Sequence, residues 1–380
     1  MGFEAQIMVL MCCLTLSSHA AFVPLSKAPE LSFADLPSCS LQCTVTNIPE
    51  SNCALTDIEC VCQDKGFAQA VALCMLEKCN MRDIERSVKV QASICHLSSE
   101  SRRHQTAMYL ALAEAFATAF IILRIAGKYV SKRLGKDDLL LVVTYLLSFV
   151  TLGTTIMILH LGFGEHIWNL KEGNLLRILR LYWISAIIYI GMLAMLKTTL
   201  ILFYLEFFTF SRFRFIAYGV TAYIFVNTAI IIFLAGFICR PLQMFWNRGI
   251  KTGKCMDIPT VGNVVSGSAI AQDIILLILP LAFLHRLHMP LSRKIGLTVI
   301  FCVGIFGCIA TTIRLLENPK FKISLDPTWE YVPGTIWTVV ELAAIYGCVS
   351  LPSIRIFLVY ILPDGFKASF SKAVKRWSPS

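Results

Sequence analysis

The sequence predicts an all-α membrane protein, with a small disulfide-stapled helical extracellular domain followed by a seven-helix transmembrane bundle. Three observations predict it. Of the 380 residues, 56% are hydrophobic and 15% charged, against about 25% charge in an ordinary soluble domain. The apolar excess is gathered in stretches near the ~20 residues that cross a bilayer as a helix. Eight of the fifteen cysteines (Cys39, Cys43, Cys53, Cys60, Cys62, Cys74, Cys79 and Cys95) crowd one short segment behind an apolar leader. That is how a disulfide framework made in an oxidising compartment reads.

The elements follow in chain order. Ile7 to Leu16 is apolar and is followed by Ser18-His19-Ala20, a small-x-small pattern, so residues 1–20 read as a signal peptide. Its start carries Glu4 and no Lys or Arg, which departs from the usual basic opening. Residues 21–36, with Pro24 and Pro29, read as a linker. Residues 37–96 form the cysteine domain, in which Phe67, Val71, Cys74, Met75, Ile84 and Val88 have helical spacing. It is too short to bury a large core, so disulfides must supply the missing constraint.

The bundle is expected over residues 106–359. Its spans are Thr106 to Gly127, Leu139 to Leu161, Leu181 to Phe207, Phe215 to Ile238, Val261 to Leu284, Ile295 to Ile313 and Val332 to Val359. Residues 360–380 form a basic cytoplasmic tail. There Phe366, Lys367, Phe370, Lys372, Lys375, Arg376 and Trp377 alternate as expected for a short helix on an anionic inner leaflet. The basic end also excludes a GPI signal.

Seven spans put the ends on opposite sides of the membrane. Fourteen Lys and Arg fall on the side of the tail and ten on the other, a weak bias that agrees with a cytoplasmic C-terminus. The leader and the cysteines decide the orientation: plasma membrane, multi-pass, with the N-terminal domain outside. The net charge of +10 lies largely between apolar spans, so it faces membrane lipid. No interleaved basic and aromatic surface suits a nucleic acid.

Residues within the spans carry the remaining chemistry. Cys239 and Cys255 share one outer loop and are expected to bridge, whereas Cys302, Cys308 and Cys348 read as reduced packing residues. Glu114, Arg124, Lys197, Asp273, Glu341 and Arg355 are charges inside apolar spans, each costing a few kcal/mol unless buried in the bundle. Arg124, Lys197 and Arg355 are expected near span ends, where long stems reach the interface. Asp273 and Glu341 lie deeper and are the candidates for polar contacts lining a ligand or a conformational core. The plain alternative is a hydrogen bond or ion pair between helices. His160 and His166 lack the further ligands of a metal site.

The cysteine spacing C-x3-C-x9-C-x6-C-x-C-x11-C-x4-C-x15-C resembles that of the CFEM domain of fungal extracellular membrane proteins. The resemblance implies a helical basket with the pairs Cys39–Cys79, Cys43–Cys74, Cys53–Cys60 and Cys62–Cys95, a choice that the sequence alone does not make. It also implies haem as a cofactor, its iron held axially by Asp57. A carboxylate suits ferric better than ferrous iron, and Leu55, Ile58, Phe67 and Leu73 could supply an apolar platform. The bland reading of Asp57 is a helix cap.

The bundle resembles the fungal rhodopsin-like, GPCR-like domain of surface-sensing proteins. The residues that carry this are Asp137-Asp138, Gly162 to Trp168, Lys197 through Phe203-Tyr204, Cys239-Arg240-Pro241 with Trp246 and Cys255, Asp273 with Pro280, Arg314, and Glu341 to Arg355. Gly162, Gly164 and His166 read as a structural turn or a ligand mouth. No lysine occurs between Trp329 and Leu358 for a retinal Schiff base, and Tyr204-Leu205-Glu206 stands where an Asp-Arg-Tyr motif would end the third span.

The implied function is a fungal cell-surface receptor-like protein sensing surface, nutrient or host cues. Its partners would be a surface or host ligand and a heterotrimeric G protein. A haem- or iron-binding surface protein and an effector-like virulence factor at the host interface compete with it. An enzyme is not expected, since no nucleophile–base pair, metal cluster or phosphate loop is present.

Overall fold

The computed structural model describes residues 32–50, 57–132, 134–208, 210–247, 250, 252–284, 291–317 and 326–361. The leader, Cys53, Leu55, most of the linker and the basic tail lie outside the described residues, as do the side chains of Cys302 and Arg355.

Four short helices build the cysteine-rich domain: α1 (Ser38–Asn47), α2 (Ile58–Gln63), α3 (Lys65–Lys78) and α4 (Met81–Ile94). Helices this short are marginal in water, and caps and crosslinks hold these. The Asp57 side chain accepts from the Cys60 amide (3.0 Å) at the start of α2. Asp64, between α2 and α3, accepts from Gly66 N (2.9 Å) and Phe67 N (3.1 Å), satisfying two amides that a helix start leaves open. Cys39–Cys79 and Cys43–Cys74 tie α1 to the end and middle of α3, and Cys62–Cys95 ties α2 to the end of α4. Cys60 is also disulfide-bonded.

Seven long helices follow: α5 (Arg103–Val130), α6 (Lys136–Leu161), α7 (Asn174–Phe207), α8 (Ser211–Gly236), α9 (Ile258–Leu284), α10 (Leu291–Glu317) and α11 (Pro327–Ile361). Among the described residues six are long and apolar enough to cross a membrane; α10 contributes a shorter apolar segment, Gly304–Leu316. The last helix packs on α5, α7 and α10, and α6 packs on α7. Helix α7 begins seven residues before the apolar run suggests. Its first turns are amphipathic, with Leu175 and Ile178 buried while Arg177 and Arg180 are exposed. Between α8 and α9, the two-residue strands β1 (Cys239–Arg240) and β2 (Lys254–Cys255) pair antiparallel, and Cys239 is bonded to Cys255.

The cysteine-rich domain sits on one end of the bundle, called here the proximal end. Phe67, Val71, Met75, Ile84 and Val88 of the small domain belong to one continuous apolar cluster with Ile158, Phe163, Ile167, Leu170, Leu175 and Val332 of the bundle. The periodicity that marks Phe67 to Val88 as a small-domain core therefore also marks a docking face.

Candidate functional site

The seat between the two parts is built on the turn that follows α6. Gly162 closes α6 in the left-handed region (φ 112°), with Gly162 N bonded to Leu159 O (3.2 Å) and Phe163 N to Ile158 O (3.1 Å). These are the two bonds of a Schellman cap. Gly164 also has positive φ (91°), and a Cβ there would meet the Arg103 backbone at 3.0 Å. A side chain would push off the start of α5, whose neighbour Arg102 donates from its amide to Gly164 O (2.7 Å).

The chain then places His166 between two indoles, 4.3 Å from Trp168 and 4.0 Å from Trp329, while the Arg102 guanidinium lies 4.0 Å above Trp329. His166 Nδ1 bonds Asp326, and Trp168 Nε1 donates to Ser98 O (3.1 Å). The short 3-10 turn Ile167–Asn169 packs on α4 and on α11, so it touches the small domain and the last span together. Gly162 to Trp168 is thus a structural turn.

Glu85 of α4 reaches across the seat and accepts from Gly173 N (3.3 Å). Burial raises the Glu85 carboxyl, and neighbouring Glu172 adds to this; the Gly173 amide, Lys89 and Arg82 oppose it. A raised acid binds its proton more tightly in the seated state. Its contribution is full below the ordinary glutamate range, about 4.3, and is lost as pH rises through the raised value. Lowering the pH through the raised value should therefore increase the protection of α4 amides relative to their intrinsic exchange at each pH, and Glu85→Gln should flatten that dependence. A slope unchanged in Glu85→Gln would assign it to another group.

Within the bundle lies a cavity of about 270 Å³ bordered by all seven helices, from Leu110, Ile158 and Phe163 at the proximal end to Lys197, Gln272 and Tyr346 deeper in. Most of its wall is apolar. A second cavity of about 50 Å³ lies beside it, and Lys197 borders both.

Between the two cavities the structure brings Asp273 and Glu341 together through one hydroxyl. Thr311 Oγ1 lies 3.1 Å from Asp273 and 2.9 Å from Glu341. Lys197 Nζ pairs with Asp273 (2.8 Å) and donates to Gln272 Oε1 (3.2 Å). Tyr189 donates to Glu341 and accepts from Arg314 (2.7 Å), whose other nitrogen is 3.7 Å from Glu341. Four helices (α7, α9, α10 and α11) are joined by this network.

Arg124 and Lys197 do not reach toward the interface as expected from sequence. Lys197 is 2% exposed and Arg124 fully buried, because each finds carboxylates inside the bundle. Arg124 bonds Asp138 (2.8 Å), Asp137 and the Val349 carbonyl. Lys128 adds bonds to Asp137 (3.2 Å) and Glu206 (3.3 Å). This second ionic cluster lies at the end of α5 and the start of α6, the distal end, and gives Asp137-Asp138 and Glu206 their role. Sequence reasoning singled out Asp273 and Glu341 but missed Tyr189, Thr311 and Gln272, which carry no signal among many similar apolar-span residues.

Asp57 is exposed, with one oxygen on the Cys60 amide. Ile58 and Leu73 are exposed and Phe67 is buried in the core. A surface carboxylate with a free oxygen and two exposed apolar side chains in the same small domain fits an axial ligand to ferric haem in chemistry. No group of three or more His, Cys, Asp or Glu suited to a bare metal ion occurs among the described residues.

A disulfide-stapled domain seated on a bundle of membrane-length helices, with a largely apolar cavity beneath the seat, defines a polytopic membrane protein with a built-in cysteine-rich domain. The chain belongs to the fungal rhodopsin domain family, which matches residues 123–360, and it carries a CFEM domain over residues 32–96. It is similar to a SAT4 family membrane protein of Emericella nidulans, with 28% identity over 56% of this chain and 52% of the relative. It is also similar to fugralins biosynthesis cluster protein 2 of Gibberella zeae (27% identity; 34% of this chain and 32% of the relative). Receptor GIN3 of Arthrobotrys oligospora is 22% identical over 53% of this chain and 48% of its own length. The chain thus spans about half or less of these curated relatives. No solved structure matches it.

Proposed function

We propose that the chain is a receptor-like protein of the fungal plasma membrane, in which the CFEM domain receives a cue and the bundle passes it inward. The observation that carries this reading is the continuous apolar cluster from Val71 and Met75 of the small domain to Phe163 and Ile167 of the bundle. A module tethered only as cargo needs no such seat, whereas a shared core lets a change in one part bias the other. Similarity to Receptor GIN3 points the same way. The CFEM domain faces outward, because its disulfides require an oxidising compartment. The cue is of surface, nutrient or host origin, with a role in host infection where the fungus is a pathogen, and a heterotrimeric G protein is the inner partner. The chain is read as non-catalytic.

The test uses the full chain in nanodiscs, with a fluorophore on a cysteine introduced at Leu134, an exposed distal position. Trp168→Ala removes a plate of the stack at the seat and should change the distal emission. A distal end indifferent to a broken seat would reduce the bundle to an anchor.

A second reading, haem or iron capture, is favoured by the exposed Asp57 carboxylate. Bound ferric haem would supply an iron centre that is released on reduction. Asp57→Asn keeps the cap but removes the anion, so it should abolish haem titration of the full chain without lowering its melting temperature. Asp57→Ala should also cost about 1 kcal/mol through the lost cap. Equal haem binding by Asp57→Asn and the parent would reject the ligand.

A further inference from the structure

Among the described residues three carboxylates stand at or beside the large cavity, and two of them are paired with cations. Asp273 pairs with Lys197, and Glu341 is held by Arg314. Glu114 of α5 borders the cavity, and among the described residues its carboxylate takes one hydrogen bond, from Ser148 Oγ (3.1 Å), and no ion pair. An ionised carboxylate inside a bundle without a cation is costly. The wall is mostly apolar with hydroxyls set in it; Tyr346, edge-on to Tyr145, and Tyr182 both border the space. The two cations that also border it, Lys197 and Arg314, are paired with Asp273 and Glu341. The Tyr346 hydroxyl is buried without a hydrogen bond of good geometry among the described residues. A lone carboxylate beside aromatic rings and an apolar void is the chemistry that recognises an alkylammonium.

We propose that this cavity binds a small monocationic amine with an apolar body, its ammonium on Glu114. The inference rests on the receptor reading and names the ligand class of its bundle. The same cavity is bordered by Ile158 and Phe163, which also belong to the apolar cluster under the CFEM domain. A bound amine therefore presses on the floor of the seat.

The experiment titrates the purified full chain in nanodiscs with hexylamine and 2-phenylethylamine, the neutral 1-hexanol and 2-phenylethanol, and anionic 3-phenylpropanoate. Binding is read as thermal stabilisation, with the Leu134 reporter followed in the same samples. The amines should half-saturate at concentrations about tenfold or more below their alcohols, the difference a charge-assisted bond makes. The propanoate should not bind. Glu114→Gln should erase the amine preference and leave the alcohols unchanged, and Glu114→Asp should keep it, which guards against a variant that simply misfolds. Equal binding of amine and alcohol, amine binding untouched by Glu114→Gln, or no amine binding would each overturn the assignment. Amine binding with a silent reporter would instead remove the receptor reading and keep the amine site. A reporter moved only by alcohols would do the reverse.

Discussion

Arg124→Leu should destabilise the bundle by about 3–5 kcal/mol, the cost of breaking a buried ion pair from one side. The guanidinium is fully buried and its nitrogens are spent on Asp138, Asp137 and the Val349 carbonyl. Its removal leaves two buried carboxylates to Lys128 and takes a side-chain donor from a carbonyl of α11. Arg124→Lys should recover little, because one ammonium cannot reproduce a planar fork that spans three acceptors. Arg124→Leu combined with Asp137→Asn and Asp138→Asn should recover much of the loss, since the stranded charges go with the cation. Melting of each variant in one detergent measures this. A shift worth less than about 1 kcal/mol would mean that water already screens the cluster.

Lys197→Met should produce a loss of similar size, again about 3–5 kcal/mol, and for a related reason. Lys197 is 2% exposed and lies 2.8 Å from Asp273, so the single change strands a carboxylate inside four joined helices. Asp273→Asn should cost as much by stranding the ammonium. The double variant should lie well above the sum of the two, and a double-mutant cycle gives the coupling directly. Additive losses would show that Lys197 acts through Gln272 and the Ala269 carbonyl, its other partners, and not through the ion pair.

Apolar runs of membrane length and a dense block of eight cysteines were enough to read the class of fold, because hydropathy and cysteine spacing are local properties of the chain. The intramembrane charges were visible for the same reason, but their roles were not. Whether Arg124 reaches water or Asp138 depends on how α5 and α6 meet, which no spacing along one helix encodes. Glu114 shows the limit sharply. It stood among the charged span residues, yet what distinguishes it is that among the described residues no cation pairs with it, those that border the cavity being taken by Asp273 and Glu341, a fact about other helices. The docking face was hidden differently. Ile84 and Val88 repeat at helical intervals whether they cover their own small core or the end of a bundle, so periodicity reported burial without saying against what.

The apolar cluster that crosses the seat also bears on what happens when the chain is cut. Separation between Leu97 and Arg102 would leave a small, stapled fragment whose disulfides survive but whose docking face is newly wet. Such a face favours self-association or adsorption to any greasy surface. A CFEM fragment released from this protein would therefore behave as a sticky particle, with solution properties unlike those of the same domain on its seat.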